Sequence, residues 1–300
     1  MGNSAETARQ IRDVFAAAGA QGYLYASETG VPDGPRVEVE ADEPVVLASV
    51  FKVVVAVAFA RAVAAGRLDP TERATIGARF RIGGLGTAGY ADDTELSRRD
   101  QALVMLTMSD NATTDALWYR LGRPAVQSVI DDLGLTRTRI TQSCEDLFLG
   151  VVRDLSPGAP LSDLEKLLQQ ASTEDLAKLA AIDPARANAS TPREIGRLLD
   201  AIWTDRAAEP SACEQVRSMM RRQIYVHRLS SGFESGIEVA AKTGTLPGIR
   251  NEAGVVTYPD GRSYAVAVFT RAHSYADRQP AVDASIGRAG RLAVEHLRSL

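Results

Sequence analysis

Residues 48–66 read ASVFKVVVAVAFARAVAAG, the strongest helical signal in the chain. The run predicts a helix over Val50 to Ala65, stopped by Gly66 and then by Asp69-Pro70. It is also the longest apolar stretch, but it carries Lys52 and Arg61 and no run of eighteen apolar residues occurs, which argues against a membrane span. Ser49 stands at the start of this helix with Lys52 three residues on, so hydroxyl and amine share one face. There Ser49 also meets the free N–H groups and positive dipole end of the helix. A serine is a weak nucleophile until a base takes its proton, and lysine serves as that base only when neutral. Moving a lysine from about 10.4 to about 7 costs roughly 4.6 kcal/mol, which burial and nearby cations can supply. Read alone, the pattern is equally a serine cap followed by a lysine on the next turn. Two features favour chemistry. Lys52 is set among Phe51, Val53, Val54 and Val55, where a purely structural cation is costly. And a chain with thirty arginines has only four lysines, Lys52, Lys166, Lys178 and Lys242, so the basic residue written here is the one that readily loses its proton.

Outward from this helix the periodicity divides the chain. Residues 5–19 are helical in pattern, Gly22–Ser27 reads as a strand ending at Glu28-Thr29-Gly30, and a second strand lies near Arg36–Glu40. Helical segments follow at Ser97–Leu106, Ala112–Leu121, Ala125–Leu133, Ser162–Gln170, Thr173–Ala181 and Thr191–Trp203. After Cys213–Gln223 the pattern alternates at Ile237–Ala241, Ala253–Tyr258 and Tyr264–Thr270, the last two joined by the turn Pro259-Asp260-Gly261. Pro280–Leu300 returns to helix. Strands at both ends with helices between predict an α/β fold: an antiparallel sheet domain made by both termini (1–48 and 207–300), flanked by helices, and an inserted all-helical domain (49–206) with an extra helical stretch near 149–188.

Composition narrows the function. A net charge of −4 in 300 residues leaves no basic surplus for a phosphate backbone, so no nucleic-acid partner is expected. Cys144 and Cys213 lack CxxC spacing, and His227, His273 and His296 lack metal spacing and read as surface or packing residues, so no metal is expected. A single bridge between the two cysteines remains open. Gly84-Leu85-Gly86-Thr87-Ala88-Gly89 matches GxGxxG but is followed by Tyr90-Ala91-Asp92-Asp93 rather than a helix, which is not a dinucleotide site. The polar N-terminus lacks a secretory core, so a cytoplasmic address is expected unless a signal peptide has been removed.

Two further motifs complete the reading. Ser109-Asp110-Asn111 lies between helical segments, where alone it is an ordinary N-cap; Lys242-Thr243-Gly244 ends a predicted strand, where alone it is an edge lysine before a glycine turn. SxxK, SDN and KTG in this order, holding two of the four lysines, form the signature of class A β-lactamases and penicillin-binding proteins. Ala41-Asp42-Glu43-Pro44, Met108 through Thr113 and Val239 through Thr245 extend the likeness, and the chain resembles class A over most of its length. The resemblance implies that Ser49 is acylated, Lys52 helps activate it, Ser109 relays a proton to the leaving nitrogen, and Asn111 holds the acyl side chain. It implies that Lys242 and Thr243 face the substrate carboxylate, with Gly244 beside them and Arg250 as an added contact, and that the N–H groups of Ser49 and Thr245 form an oxyanion hole. The family's deacylating glutamate lies in an ExxLN loop that is missing here; Glu145, in Cys144-Glu145-Asp146-Leu147-Phe148, stands at about the right distance. The family's cysteine pair is replaced by Ala56 and Ala102, as suits a reducing compartment. The expectation is a serine hydrolase, β-lactamase-like, acting without cofactor as a monomer on a small-molecule substrate with a carboxylate. An amidase, esterase or transacylase on another substrate, a slowly deacylating penicillin-binding protein and an acylated sensor stay open.

Overall fold

The computed structural model describes residues 4–300. The chain opens with α1 (Ser4–Ala17), β1 (Ala20–Glu28) and β2 (Arg36–Val39). Its middle holds β3 (Val45–Val46), α2 (Lys52–Ala64), β4 (Arg73–Ile76), β5 (Thr94–Ser97), α3 (Arg98–Thr107), α4 (Asn111–Leu121), α5 (Arg123–Asp132), α6 (Cys144–Leu155), α7 (Leu164–Gln170), α8 (Thr173–Ala177), β6 (Ala189–Ser190), α9 (Pro192–Trp203) and α10 (Pro210–Arg221). Three long strands, β7 (Glu238–Leu246), β8 (Ile249–Thr257) and β9 (Ser263–Ala272), precede the closing α11 (Pro280–Arg298).

Five strands form one antiparallel sheet in the order β2-β1-β9-β8-β7, so the two chain ends meet, with Tyr23 opposite Phe269 and Ala26 opposite Val266. This is the mixed α/β architecture with an antiparallel sheet expected from strands at both ends. Alternation along β9 sorts the core. Val266 and Val268 face Ile11, Phe15, Ile286 and Val294 of α1 and α11, while Ala265, Ala267 and Phe269 face the cluster that holds α2 and α9. Apart from Lys52 and Arg61, helix α2 is apolar all round and is buried on nearly every side, as a helix with so little polar surface must be. At roughly 1.5–3 kcal/mol per fully buried large apolar side chain, it anchors the middle of the chain, which is not all-helical as expected: β4 pairs with β5 and β6 with β3. Among the described residues no helix is long and apolar enough to cross a membrane.

Two local departures from the sequence reading shape the cleft between the lobes. The helix begins at Lys52, preceded by a 3-10 turn over Ala48–Phe51, and Ser49 caps nothing. The chain ahead of it is held from outside, Leu47 N donating to Asn188 O (2.9 Å) and Asn251 Nδ2 to Val46 O (2.8 Å), and Ala48 takes a left-handed φ of 45°. Strand β7 does not stop before the KTG motif but carries it, with Thr243 opposite Glu252 and Thr245 opposite Arg250. Gly244 is there for close approach rather than for a turn: a side-chain carbon at 244 would lie 2.7 Å from Leu47 O and 3.3 Å from Ser49 N.

The expected extra helical stretch begins as α6 and continues through α7 and α8. It leaves and returns at a neck tied by Asn188, which accepts from Thr141 N and Gln142 N and donates to Gln142 O. Its own apolar cluster, including Leu147, Val151, Leu164 and Leu176, reaches Ala48 and Leu246 beside Ser49. Both cysteines are free and buried.

Candidate active site

Ser49, Ser109, Asn111, Thr243 and Thr245 line one cleft of about 430 Å³. They arrive from three parts of the fold: Ser49 on the 3-10 turn before α2, Ser109 on the turn between α3 and α4 with Asn111 as the first residue of α4, and the two threonines on the edge strand β7. Lys52 lies fully buried beneath them. Its Nζ donates to Ser109 O (2.7 Å) and Asn111 Oδ1 (2.8 Å) and lies 3.4 Å from Ser109 Oγ, so the SxxK and SDN motifs meet through this amine. Ser109 has a left-handed φ of 61°, a conformation costing of order 1 kcal/mol that persists where the surroundings enforce it. Here they do. Asp110 caps α4 through Ala112 N and Thr113 N and accepts from both Thr87 N and Thr87 Oγ1 at 2.7 Å.

The glycine-rich loop at 83–89 thereby acquires a role. It lies on the SDN turn, with Asn111 Nδ2 donating to Gly83 O (3.1 Å), and at Gly84 (φ 108°) a side-chain carbon would stand 2.8 Å from that amide nitrogen. On the opposite side, the stretch 223–228 bridges the lobes: Tyr225 OH donates to Met108 O (3.0 Å), and Gln223 Oε1 accepts from Thr243 N (2.7 Å). Because the Thr243 N–H points off the edge of the sheet, the two-residue period puts the Thr245 N–H on the same edge, toward the cleft.

Charge is arranged unusually. Burial pushes the Lys52 ammonium below the ordinary lysine range. Lys242, also fully buried with its Nζ on Thr243 O (2.8 Å), is driven well below that range by burial and then by the charge of Lys52. No Asp or Glu lines the cleft among the described residues. From α6 the lining takes Cys144, Leu147 and Phe148, and burial pushes the Cys144 thiol up to about 12. Behind it Asp115, buried and raised by desolvation to about 6, accepts from Cys144 N (2.7 Å) and Glu145 N (2.8 Å) and so pins the start of α6.

The structure therefore brings together Ser49, Lys52, Ser109, Asn111, Lys242, Thr243, Gly244 and Thr245, and leaves two candidates outside. Glu145 is not a lining residue; its carboxylate accepts from Tyr119 OH at 2.7 Å. Consecutive residues on a helix point about 100° apart, and on α6 it is Cys144, Leu147 and Phe148 that face inward. Arg250 is buried with its guanidinium on the carbonyls of Leu246, Ile249, Ala276 and Asp277. The arginine that lines the cleft is Arg228, held by Asp283 (2.7 Å), Gly244 O, Asn251 O and Thr245 Oγ1 (2.9 Å). No sequence signal marks it, since its carboxylate partner is 55 positions away. His227, read as a surface or packing residue, is exposed on the cleft lining.

A serine and a buried lysine one turn apart, a second serine on that lysine and a lysine-bearing edge strand thus form one cluster. A sequence profile described as the Beta-lactamase enzyme family matches residues 6–297, and the chain belongs to that family. It is 27% identical over 313 residues, 99% of both chains, to the beta-lactamase regulatory protein BlaB of Streptomyces cacaoi. Among solved structures it is similar to an ancestral class A β-lactamase (TM-score 0.76, 22% identity, 97% of this chain and 99% of that one). It is also similar to a point mutant of PBP-A in an acyl-enzyme complex with penicillin G (TM-score 0.76, 22% identity, 99% and 97%). These likenesses place the fold.

Proposed function

We propose that the protein forms a covalent acyl-enzyme at Ser49 with a carboxylate-bearing amide of the β-lactam type and hydrolyses that intermediate slowly. One observation carries the reading: the acylation residues share a cleft in which, among the described residues, no carboxylate side chain is present to activate water. Neutral Lys52 takes the Ser49 proton as Oγ bonds to the carbonyl carbon. The N–H groups of Ser49 and Thr245 receive the oxyanion, a contribution of about 3 kcal/mol per donor, and Ser109 passes the proton to the nitrogen as the C–N bond breaks. Arg228 attracts the carboxylate and Thr243 offers it a hydrogen bond, with Lys242 buried behind them. Release then needs a water and a base, and the thiol of Cys144 stays protonated at neutral pH. A second reading, stoichiometric acylation as a signal, is favoured by the regulatory name of BlaB.

Intact mass followed over time after mixing with penicillin G tests this. The expected result is one adduct that forms, decays over many minutes and is slowed in its formation by about a thousandfold or more in Ser49→Ala. An adduct retained in that variant rejects the nucleophile, and fast multiple turnover in the natural protein rejects slow release.

A further inference from the structure

A second groove, of about 260 Å³, lies between strands β1 and β2 and helix α9, and it shares no lining residue with the cleft around Ser49. On β1, Tyr25 and Ser27 are two positions apart and so point to one face. Gly196 lets α9 close on that face: a side-chain carbon there would lie 2.2 Å from the Tyr25 ring. Ser27 stands opposite Arg36 of β2, and Tyr25 opposite Glu38. From α9, Arg193 and Arg197 lie one turn apart over the same groove. Most of the charge here is matched. Arg193 is held by Glu38 (2.6 Å) and Asp42 (2.7 Å), Glu28 accepts from Arg262 (2.7 Å), and Asp200 is met by Arg206 and by Gly30 N (2.7 Å). Four donor groups are left over. Among the described residues Arg36 and Arg197 have no carboxylate partner, and they donate only to carbonyls, Pro32 O at 2.9 Å and Leu133 O at 3.5 Å. The hydroxyls of Tyr25 and Ser27, residues only 6% and 8% exposed, make no hydrogen bond to any described residue.

We propose that this groove binds a phosphate group, free or as a small monoester, between Arg36 and Arg197, with the hydroxyls of Tyr25 and Ser27 completing its hydrogen bonds. Buried hydroxyls are ordinarily paired, and two that are unpaired beside two unmatched guanidiniums call for an acceptor-rich anion. A phosphate carries close to two negative charges at neutral pH and at least three acceptor oxygens, enough for two cations and two hydroxyls. A carboxylate brings one charge and leaves a guanidinium unmatched. The planar fork of arginine also suits phosphate oxygens. The volume limits the ligand, since about 260 Å³ lies below the usual range for drug-sized molecules. The apolar part of the lining, Val31, Pro32 and Leu133, is where the organic portion of a monoester would rest. This site stands independently of the reading of Ser49 as nucleophile.

Isothermal titration of the full chain at low ionic strength tests this, with inorganic phosphate, phenyl phosphate and acetate as probes. Both phosphates are expected to bind at a single site, and acetate at least about tenfold more weakly, since it lacks the second charge. Arg36→Gln and Arg197→Gln should each weaken phosphate binding about tenfold, as loss of a hydrogen bond to a charged group does, and Ser27→Ala about threefold. Neither arginine holds a carboxylate and Arg197 is exposed, so the arginine variants keep the fold. Tighter binding of phenyl phosphate than of inorganic phosphate assigns the groove to a monoester, and the reverse order assigns it to the free ion. Absence of binding by both phosphates, or binding undiminished in all three variants, overturns the site. Acetate binding as tight as phosphate overturns the choice of a dianion.

Discussion

The two sides of the cleft are built by different means. The side carrying Lys52, Ser109, Asn111 and Lys242 is dense in short hydrogen bonds and strained backbone, and it derives from three motifs of three or four residues each. The side contributed by α6 is held by Asp115 on two backbone N–H groups and by apolar packing in a stretch of chain that lacks the ExxLN pattern. The polar and basic groups belong to the first side; on the proposed reading they carry acylation, and the second side would govern the fate of the acyl-enzyme. The contrast teaches that one side of a cleft can keep its motifs intact while the wall facing it is made from different chemistry.

Placing a carboxylate on the α6 side should break the contrast most strongly. Cys144→Glu is expected to speed decay of the penicillin adduct about a hundredfold, the usual worth of a positioned general base, read by mass spectrometry with acylation followed in parallel; an unchanged decay would mean that position 144 does not reach the deacylating water. A smaller effect is expected at the cationic end, where Arg228→Lys keeps charge but loses the planar fork. Acylation by penicillin G should fall about tenfold, and by its carboxamide analogue much less; equal losses would remove Arg228 from carboxylate recognition.

Asp115 sharpens the comparison through pH. Its folded value of about 6 lies above the ordinary 3.8, so the folded protein holds this proton more tightly than the unfolded chain. The associated stability is fully present below about pH 4 and is lost as pH rises through 6, by at most about 3 kcal/mol. Denaturant unfolding of the natural protein and of Asp115→Asn should therefore diverge between about pH 4 and 7, the natural protein gaining at the acid end; parallel curves would show that Asp115 is not buried as described. The smallest effect is expected at Glu145→Gln, less than about twofold on adduct decay, because its carboxylate is engaged by Tyr119 OH away from the cleft. A large slowing would return Glu145 to the mechanism.

How much could be read in the sequence depends on the range of the interactions involved. Ser49 and Lys52 are one turn apart, so their shared face is a local fact. The KTG motif was legible as residues but not as geometry: a glycine after two polar residues reads as a strand end, and only the close approach of Leu47 O shows why the strand continues through it. Glu145 is the neighbour of a lining residue, and one position on a helix is enough to turn a side chain away from a cleft. Arg250 and Arg228 could not be told apart, since the partners that bury the first and orient the second lie at 276–277 and 283.

The sequence by itself determined that a serine and an amine stand one turn apart, the order of the three motifs and the sheet made from both ends, because these rest on helical and strand periods and on residue types within a few positions. Tertiary structure alone decided which side of α6 faces Ser49, which arginine lines the cleft and where the insertion packs. Those outcomes depend on contacts between segments dozens of residues apart, and no local period encodes them.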